Sequence, residues 1–288
     1  MQGFRFILSD SDLLYLVKTL VPQTPDASRM IRVLRDDPEI LDGMLKDPRL
    51  AHRLLDDPQS ILQVSPSLFF AVLLRRVRAD LEKERFTLEQ SGGRSMALFD
   101  TPQIVALLDH AALLSYLTEM LVSFVRVSSF STVVRVKHGV WRRVRFSDFD
   151  IDSLLSYGNA IEESRRFPVY KRLADICLFT LGIMPPAEPD PFRAAGARPM
   201  EGLPAESRPA AAAILWESLR VSRRRTRQDY LTQGSSFYRL ASLHPDAEVR
   251  QLADVMNTLA EKFALAVKPL STMSSKYLAP LKDKVFLQ

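Results

Sequence analysis

Six basic side chains, Arg126, Arg135, Lys137, Arg142, Arg143 and Arg145, fall between Met120 and Ser147, a stretch with no Asp or Glu. Cations at this density without a local counter-charge suit one kind of chemistry. They hold anions, either the carboxylates of an acidic protein or the phosphates of a nucleic acid. The chain carries 39 Lys+Arg against 34 Asp+Glu, and taking these six from the 39 leaves 33 against 34. The formal charge of +5 is therefore local. Arg135, Lys137, Trp141, Arg143 and Arg145 are the binding residues this segment offers. Arg135 opposite Trp141 also makes a cross-strand cation–π pair that needs no ligand. A second cluster, Arg220, Arg223, Arg224 and Arg227, has the i, i+3, i+4, i+7 spacing of one helical face, with Arg225 turned away and Glu217 and Asp229 flanking. Solvation or internal pairing accounts for that stripe as well as a partner does.

Other chemistry has less support. Four histidines, His52, His110, His138 and His244, sit in four separate segments and complete no metal-binding spacing, so no metal is expected. His110 follows Asp109 in an apolar helical stretch. A haem-ligand or proton-transfer role is conceivable there, and a helix-surface or helix-boundary histidine is the plainer reading. Cys177, the single cysteine, lies in an apolar run and reads as packing, consistent with a reducing compartment. Glu162 and Glu163 are adjacent and diverge on a helix, while Asp148, Asp150 and Asp152 suit capping of the helix that follows. The 10 glycines form no phosphate-cradling loop. No catalytic residue and no cofactor is expected.

The elements that must position the basic segment are mostly helical. Asp37-Pro38, Asp47-Pro48 and Asp57-Pro58 recur every ten residues, each a helix start with Asp as cap and Pro at the first position. The short helices between them should turn Ile40, Leu41, Met44, Leu50, Leu54 and Leu55 inward. Ser65-Pro66 opens a long helix to about Arg85, with Phe70, Leu73, Leu74, Val77 and Leu81 apolar and Arg75, Arg76 and Arg78 on a wet, internally compensated side. Residues 87–98 read as a loop, and one helical stretch runs from Asp100 to about Phe124.

The alternation over 130–146 predicts a hairpin with a three-residue turn, Lys137-His138-Gly139. That register sets Val136 opposite Val140, Phe130 opposite Phe146 and Arg135 opposite Trp141. Helices resume over about 150–163 and 169–181. Seven prolines crowd residues 185–209 as a linker or loop. Helical pattern returns over 210–231 and 235–243, and Asp246 caps a last long helix whose apolar stripe ends at Pro269. Beyond it a loose tail is expected.

The fold class is therefore mainly α: a compact helical body with one small β-hairpin and a Pro-rich loop before a C-terminal helical unit. The corresponding segments are 1–184, 185–209 and 210–288. The N-terminus lacks the pattern of a signal peptide and the longest charge-free apolar run is too short for a membrane span, so a soluble cytoplasmic protein is expected. Its expected function is non-enzymatic binding of an acidic partner protein through the hairpin and the arginine stripe. Nucleic-acid binding with the hairpin as a wing, or small-molecule or haem binding near His110, are the competing readings. The C-terminal apolar stripe fits either the chain's own core or a second copy.

Overall fold

Asp-Pro punctuation governs the first part of the chain. The computed structural model describes residues 7–84, 87–91, 94–98, 100–125, 129–137, 140–186 and 225–281, with the backbone alone for the strands up to residue 146. Helix α1 (Asp10–Leu20) is followed by α2 (Ala27–Asp36), α3 (Pro38–Leu45), α4 (Pro48–Asp56) and the single turn α5 (Pro58–Ile61). Asp37, Asp47 and Asp57 each accept backbone N–H bonds at the start of α3, α4 and α5, with Pro at the first position, as the spacing predicts. Leu45, Leu50 and Leu54 are buried, but Ile40 is exposed and Leu45 takes the inward role expected of it. A helix of only two turns has little freedom in which face it presents, and its caps fix the rotation.

Helix α6 (Pro66–Lys83) starts at the Ser65 cap and buries Leu73, Leu74, Val77 and Leu81. It packs against α7 (Thr101–Leu108) and α8 (Ala111–Ser123). The single helix expected over 100–124 is two, bent by 85° at Asp109-His110. Residues 87–98, read as a loop, instead pair as antiparallel strands β1 (Thr87–Ser91) and β2 (Arg94–Leu98). Ser91 opposite Arg94 brackets two residues, the length that a Gly-Gly hairpin turn favours, although Gly92 and Gly93 lie outside the described residues.

Strands β3 (Ser129–Lys137) and β4 (Val140–Ser147) are antiparallel partners. Phe130 pairs with Phe146, Thr132 with Val144, Val134 with Arg142 and Arg135 with Trp141. Near the turn the register departs from expectation. Lys137, not Val136, is opposite Val140, and the ladder shifts between Arg135 and Lys137. An extra residue in one strand is a β-bulge, and it reconciles a two-residue turn with the side-to-side alternation farther along.

Helices α9 (Ile151–Ala160) and α10 (Phe167–Ile183) follow, then α11 (Arg227–Ser242), α12 (Pro245–Val249), α13 (Ala253–Glu261) and α14 (Phe263–Met273). Helix α14 continues into a π-helical stretch, Ser274–Leu278, so the helix does not end at Pro269 and residues 270–281 are not a loose tail. Leu270, Met273, Tyr277 and Leu281 are buried there. That burial outweighs the cost of about 3 kcal/mol that proline carries inside a helix.

Contacts divide the chain into two units, Met1–Arg126 with Ala264–Gln288, and Val127–Phe263. The expected segments 1–184 and 210–288 are not the ones the contacts follow. Compositional change marked a connection, whereas α10 and α11, on either side of the Pro-rich residues, have the most extensive helix–helix packing in the described structure. Residues 187–224 lie outside the described residues.

Candidate functional site

The backbone of β3 and β4 sets Ser131 opposite Arg145, Val133 opposite Arg143 and Arg135 opposite Trp141. The side chains of Arg135, Lys137, Trp141, Arg143 and Arg145 are outside the described residues, as are His138 and Gly139 altogether. Of the arginine stripe, Arg220, Arg223 and Arg224 are also outside them. Arg227 is the first residue of α11, and Thr226 caps that helix with φ −80° and ψ 167°, an extended conformation. A single helix carrying all four arginines from 220 to 227 cannot pass through this cap. Asp229, taken above as a flanking acid, is the return partner in the capping box: Thr226 N–H donates to its carboxylate at 2.7 Å.

The remaining cations of the body are largely engaged. Arg225 meets Asp152 at 2.5 Å, Arg172 meets Asp148 at 3.3 Å, and Arg239 meets Glu261 at 3.5 Å. In the other unit Arg78 bridges Asp109 at 2.5 Å and Glu82 at 3.0 Å. Arg75, assigned to the wet side of α6, is buried instead, and donates to Asp42 at 2.8 Å and to the Ala71 carbonyl at 3.0 Å. Helical spacing placed its Cα correctly, but α3 brings a carboxylate over that face and makes burial tolerable.

Partial burial pushes the Asp42 carboxyl up, but the Lys46 hydrogen bond and the Arg75 charge outweigh it and hold the group below the ordinary 3.8. Such a carboxylate contributes stability above its unfolded pKa, and loses it as pH falls through the lower folded value. Asp42→Asn should therefore lower the urea midpoint at pH 6, with the gap to the unchanged protein closing below about pH 3.8. A gap that persists undiminished at pH 2.5 would remove Asp42 from the acid response.

Buried polar groups in the Val127–Phe263 unit have structural partners. Asp175 is fully buried, accepting from Tyr238 Oη at 2.8 Å and from Lys171 Nζ at 2.8 Å. Burial pushes the neighbouring Cys177 thiol up to about 12, so it stays protonated and packs as a small apolar group. His244 caps α12 through Nδ1, which accepts from Asp246 N–H, and its Nε2–H donates to the Glu163 carbonyl at 3.2 Å. It takes the capping role expected of Asp246.

His110 is exposed, not enclosed by apolar groups. Its Nδ1 accepts from Leu113 N–H at 3.2 Å as the cap of α8, which is the helix-boundary reading. Among the described residues no three His, Cys, Asp or Glu side chains are grouped to hold a metal, and no single helix is long and apolar enough to cross a membrane.

One constellation has no signal in the sequence, because its members lie up to 201 positions apart. Asp80 of α6 accepts from Tyr277 Oη, and Lys276 Nζ reaches it at 2.7 Å. Arg76 Nε donates to Tyr277 Oη at 3.3 Å and lies 3.4 Å from Asp80. Burial raises the Asp80 carboxyl, but Lys276, Tyr277 and Arg76 more than offset it and the net shift is downward. Burial and the bond to Asp80 together raise the Tyr277 phenol. Lys276 and Tyr277 are consecutive, and both converge on one carboxylate from the π-helical stretch. Beside them α4, α6 and residues 276–281 line a half-open cavity of about 230 Å³.

No protein-family model matches the chain, and comparison with curated proteins and with solved structures gives no significant similarity.

Proposed function

We infer that the protein is a non-enzymatic binding protein whose basic β3–β4 segment docks an acidic partner protein. What supports this is where the sequence concentrates cations without neighbouring acids. In the described body Arg75, Arg78, Arg172, Arg225 and Arg239 pair with its own carboxylates, at Asp42, Asp109, Asp148, Asp152 and Glu261. Met120 to Ser147 has six cations and no acid. In the backbone register Arg135, Arg143 and Arg145 occupy pairs that alternate with Phe130–Phe146 and Thr132–Val144, while Arg142, paired with Val134, belongs to the alternate set. Such a patch steers and holds acidic surfaces through charge complementarity. Arg220, Arg223 and Arg224 are not needed for this reading.

The test is fluorescence anisotropy with two labelled probes, a poly-glutamate peptide and a duplex DNA, from about 50 to 300 mM salt. Saturable peptide binding that weakens with salt, and is lost in Arg143→Glu/Arg145→Glu without a change in helicity, is the expected result. DNA binding with a log–log salt slope near −0.9 per phosphate contacted would instead assign the segment to nucleic acid. No binding of either probe at low salt, or equal binding by the double variant, overturns the inference.

A further inference from the structure

We propose that the cavity between α4, α6 and the C-terminal helix is a binding site for a small carboxylate attached to an apolar body, the class of aromatic acids. Its volume of about 230 Å³ is small beside drug-sized pockets. It is larger than the roughly 150 Å³ that suffices for benzene in a closed apolar cavity. Ala51, Leu55, Pro280 and Leu281 supply apolar wall, Arg76, Lys276 and Tyr277 a polar end, and His52 and Asp56 the rest of the rim. A ring fits the first and an anion the second.

The anion preference comes from Arg76. Among the described residues its one hydrogen bond runs from Nε to Tyr277 Oη, which orients the plane of the guanidinium. Neither Nη1 nor Nη2 makes a hydrogen bond among the described residues, so the terminal fork is open. A fixed guanidinium with free terminal N–H groups matches a carboxylate in two-point geometry. Asp80 offsets its charge only in part. That carboxylate is taken up by Lys276 at 2.7 Å and by Tyr277, while Arg76 is left at 3.4 Å. Lys276 also lies 3.4 Å from Glu84, and His52 on the opposite wall lies 3.8 Å from Asp56. Glu84 lies against Lys276, Asp56 lies on the rim beside His52, and Arg76 is the cation of the lining whose terminal N–H groups are open.

A second observation is the backbone itself. π-helical turns are rare and tend to mark functional positions, because they re-aim side chains at a cost in regular hydrogen bonding. Here the five-residue stretch Ser274–Leu278 carries Lys276 and Tyr277, both of which line the cavity and meet Asp80. The irregularity and the cavity coincide. Perturbed proton affinities at Asp80, Lys276 and Tyr277 belong to the same spot, as binding sites show more often than bulk surface does.

The probe is benzoate, titrated into the full chain and read by isothermal calorimetry and by ligand-observed saturation-transfer NMR, with benzamide as the uncharged counterpart. Saturable benzoate binding with Kd below about 1 mM, at least tenfold weaker binding of benzamide, and loss of benzoate binding in Arg76→Gln are the expected results. Should Arg76→Gln fail to fold, Leu55→Trp, which fills the cavity from the half-buried face of α4, gives the same reading by abolishing binding. Benzoate that shows no saturable binding up to about 10 mM, or that binds Leu55→Trp unchanged, overturns the site. Benzamide binding as tightly as benzoate overturns the anion assignment.

Discussion

Gly234→Ala should unfold or severely loosen the Val127–Phe263 unit, whereas Gly43→Ala should stabilise the other. Both glycines lie inside helices, where alanine is intrinsically better by about 1 kcal/mol. Their surroundings differ completely. A Cβ built on Gly234 in α11 would sit 2.1 Å from Cζ and 2.5 Å from Cε2 of Phe263, and 2.9 Å from Cβ of Cys177. The Phe263 ring cannot swing away freely, since it is 3 % exposed and packs 5.9 Å from the Tyr238 ring. Cys177 Cβ is fixed to the backbone of α10. Inserted volume in a close-packed interior costs about 1–3 kcal/mol in ordinary cases, and here it must displace a ring and a helix, so about 3 kcal/mol or more is expected. On Gly43 of α3 an added Cβ meets nothing within 4 Å. There the helical preference acts alone, and a gain of about 0.5–1 kcal/mol should follow. Urea unfolding of both variants, followed by circular dichroism, is the measurement. Gly234→Ala with an unchanged midpoint would show that α10, α11 and Phe263 are not in contact as described. Gly234→Ala/Phe263→Leu should recover part of the loss, because the clash is with the ring.

That site also shows where the sequence stops speaking. Gly234 follows Leu231-Thr232-Gln233, and the pattern there suggests a break between helices at 231 and 235. In fact α11 is continuous, and the glycine is present because three elements meet at it. Local signals with a local cause were legible: Asp37, Asp47, Asp57 and Ser65 cap the helices they were expected to cap, and the apolar periodicity of α6 lies on its buried face. Signals whose cause is distant were not. Arg75 is buried only because α3 supplies Asp42. The bend at His110 depends on a histidine acting as a cap, a role shared with residues that take it far more commonly. Residues 270–281 read as a tail because their serines and Pro280 obscure Leu270, Met273, Tyr277 and Leu281, which are spaced for one buried face. The candidate sites divide in the same way. The basic segment is visible as composition, whereas Arg76, Asp80, Lys276 and Tyr277 come together only through the fold.

Asp12→Ala should cost about 3 kcal/mol, more than any surface charge in the chain, because one buried carboxylate fastens two helix starts together. Asp12 is 1 % exposed and occupies the third position of α1. One oxygen accepts from Ser65 N–H at 2.8 Å. The other accepts from Ser65 Oγ at 2.7 Å, Ser9 Oγ at 2.7 Å and Ser9 N–H at 3.2 Å. Ser9 caps α1 and Ser65 caps α6, so the carboxylate faces the positive ends of two helices at once, an arrangement that favours negative charge. Hydrogen bonds to a charged partner contribute about 1.5–3 kcal/mol each, and removing the acceptor breaks four partly buried donor contacts at once. Asp12→Asn keeps the shape and one acceptor oxygen and should lose less, about 1–2 kcal/mol. Ser65→Ala should lose about 1–2 kcal/mol through the cap and its bond to Asp12. The decisive measurement is the double variant Asp12→Ala/Ser65→Ala in urea unfolding. Its loss should fall short of the summed single losses by about 1 kcal/mol or more, because both single variants remove the same bonds. Strict additivity would mean that α1 and α6 are capped independently, and that the contact between Asp12 and Ser65 contributes nothing to holding them together.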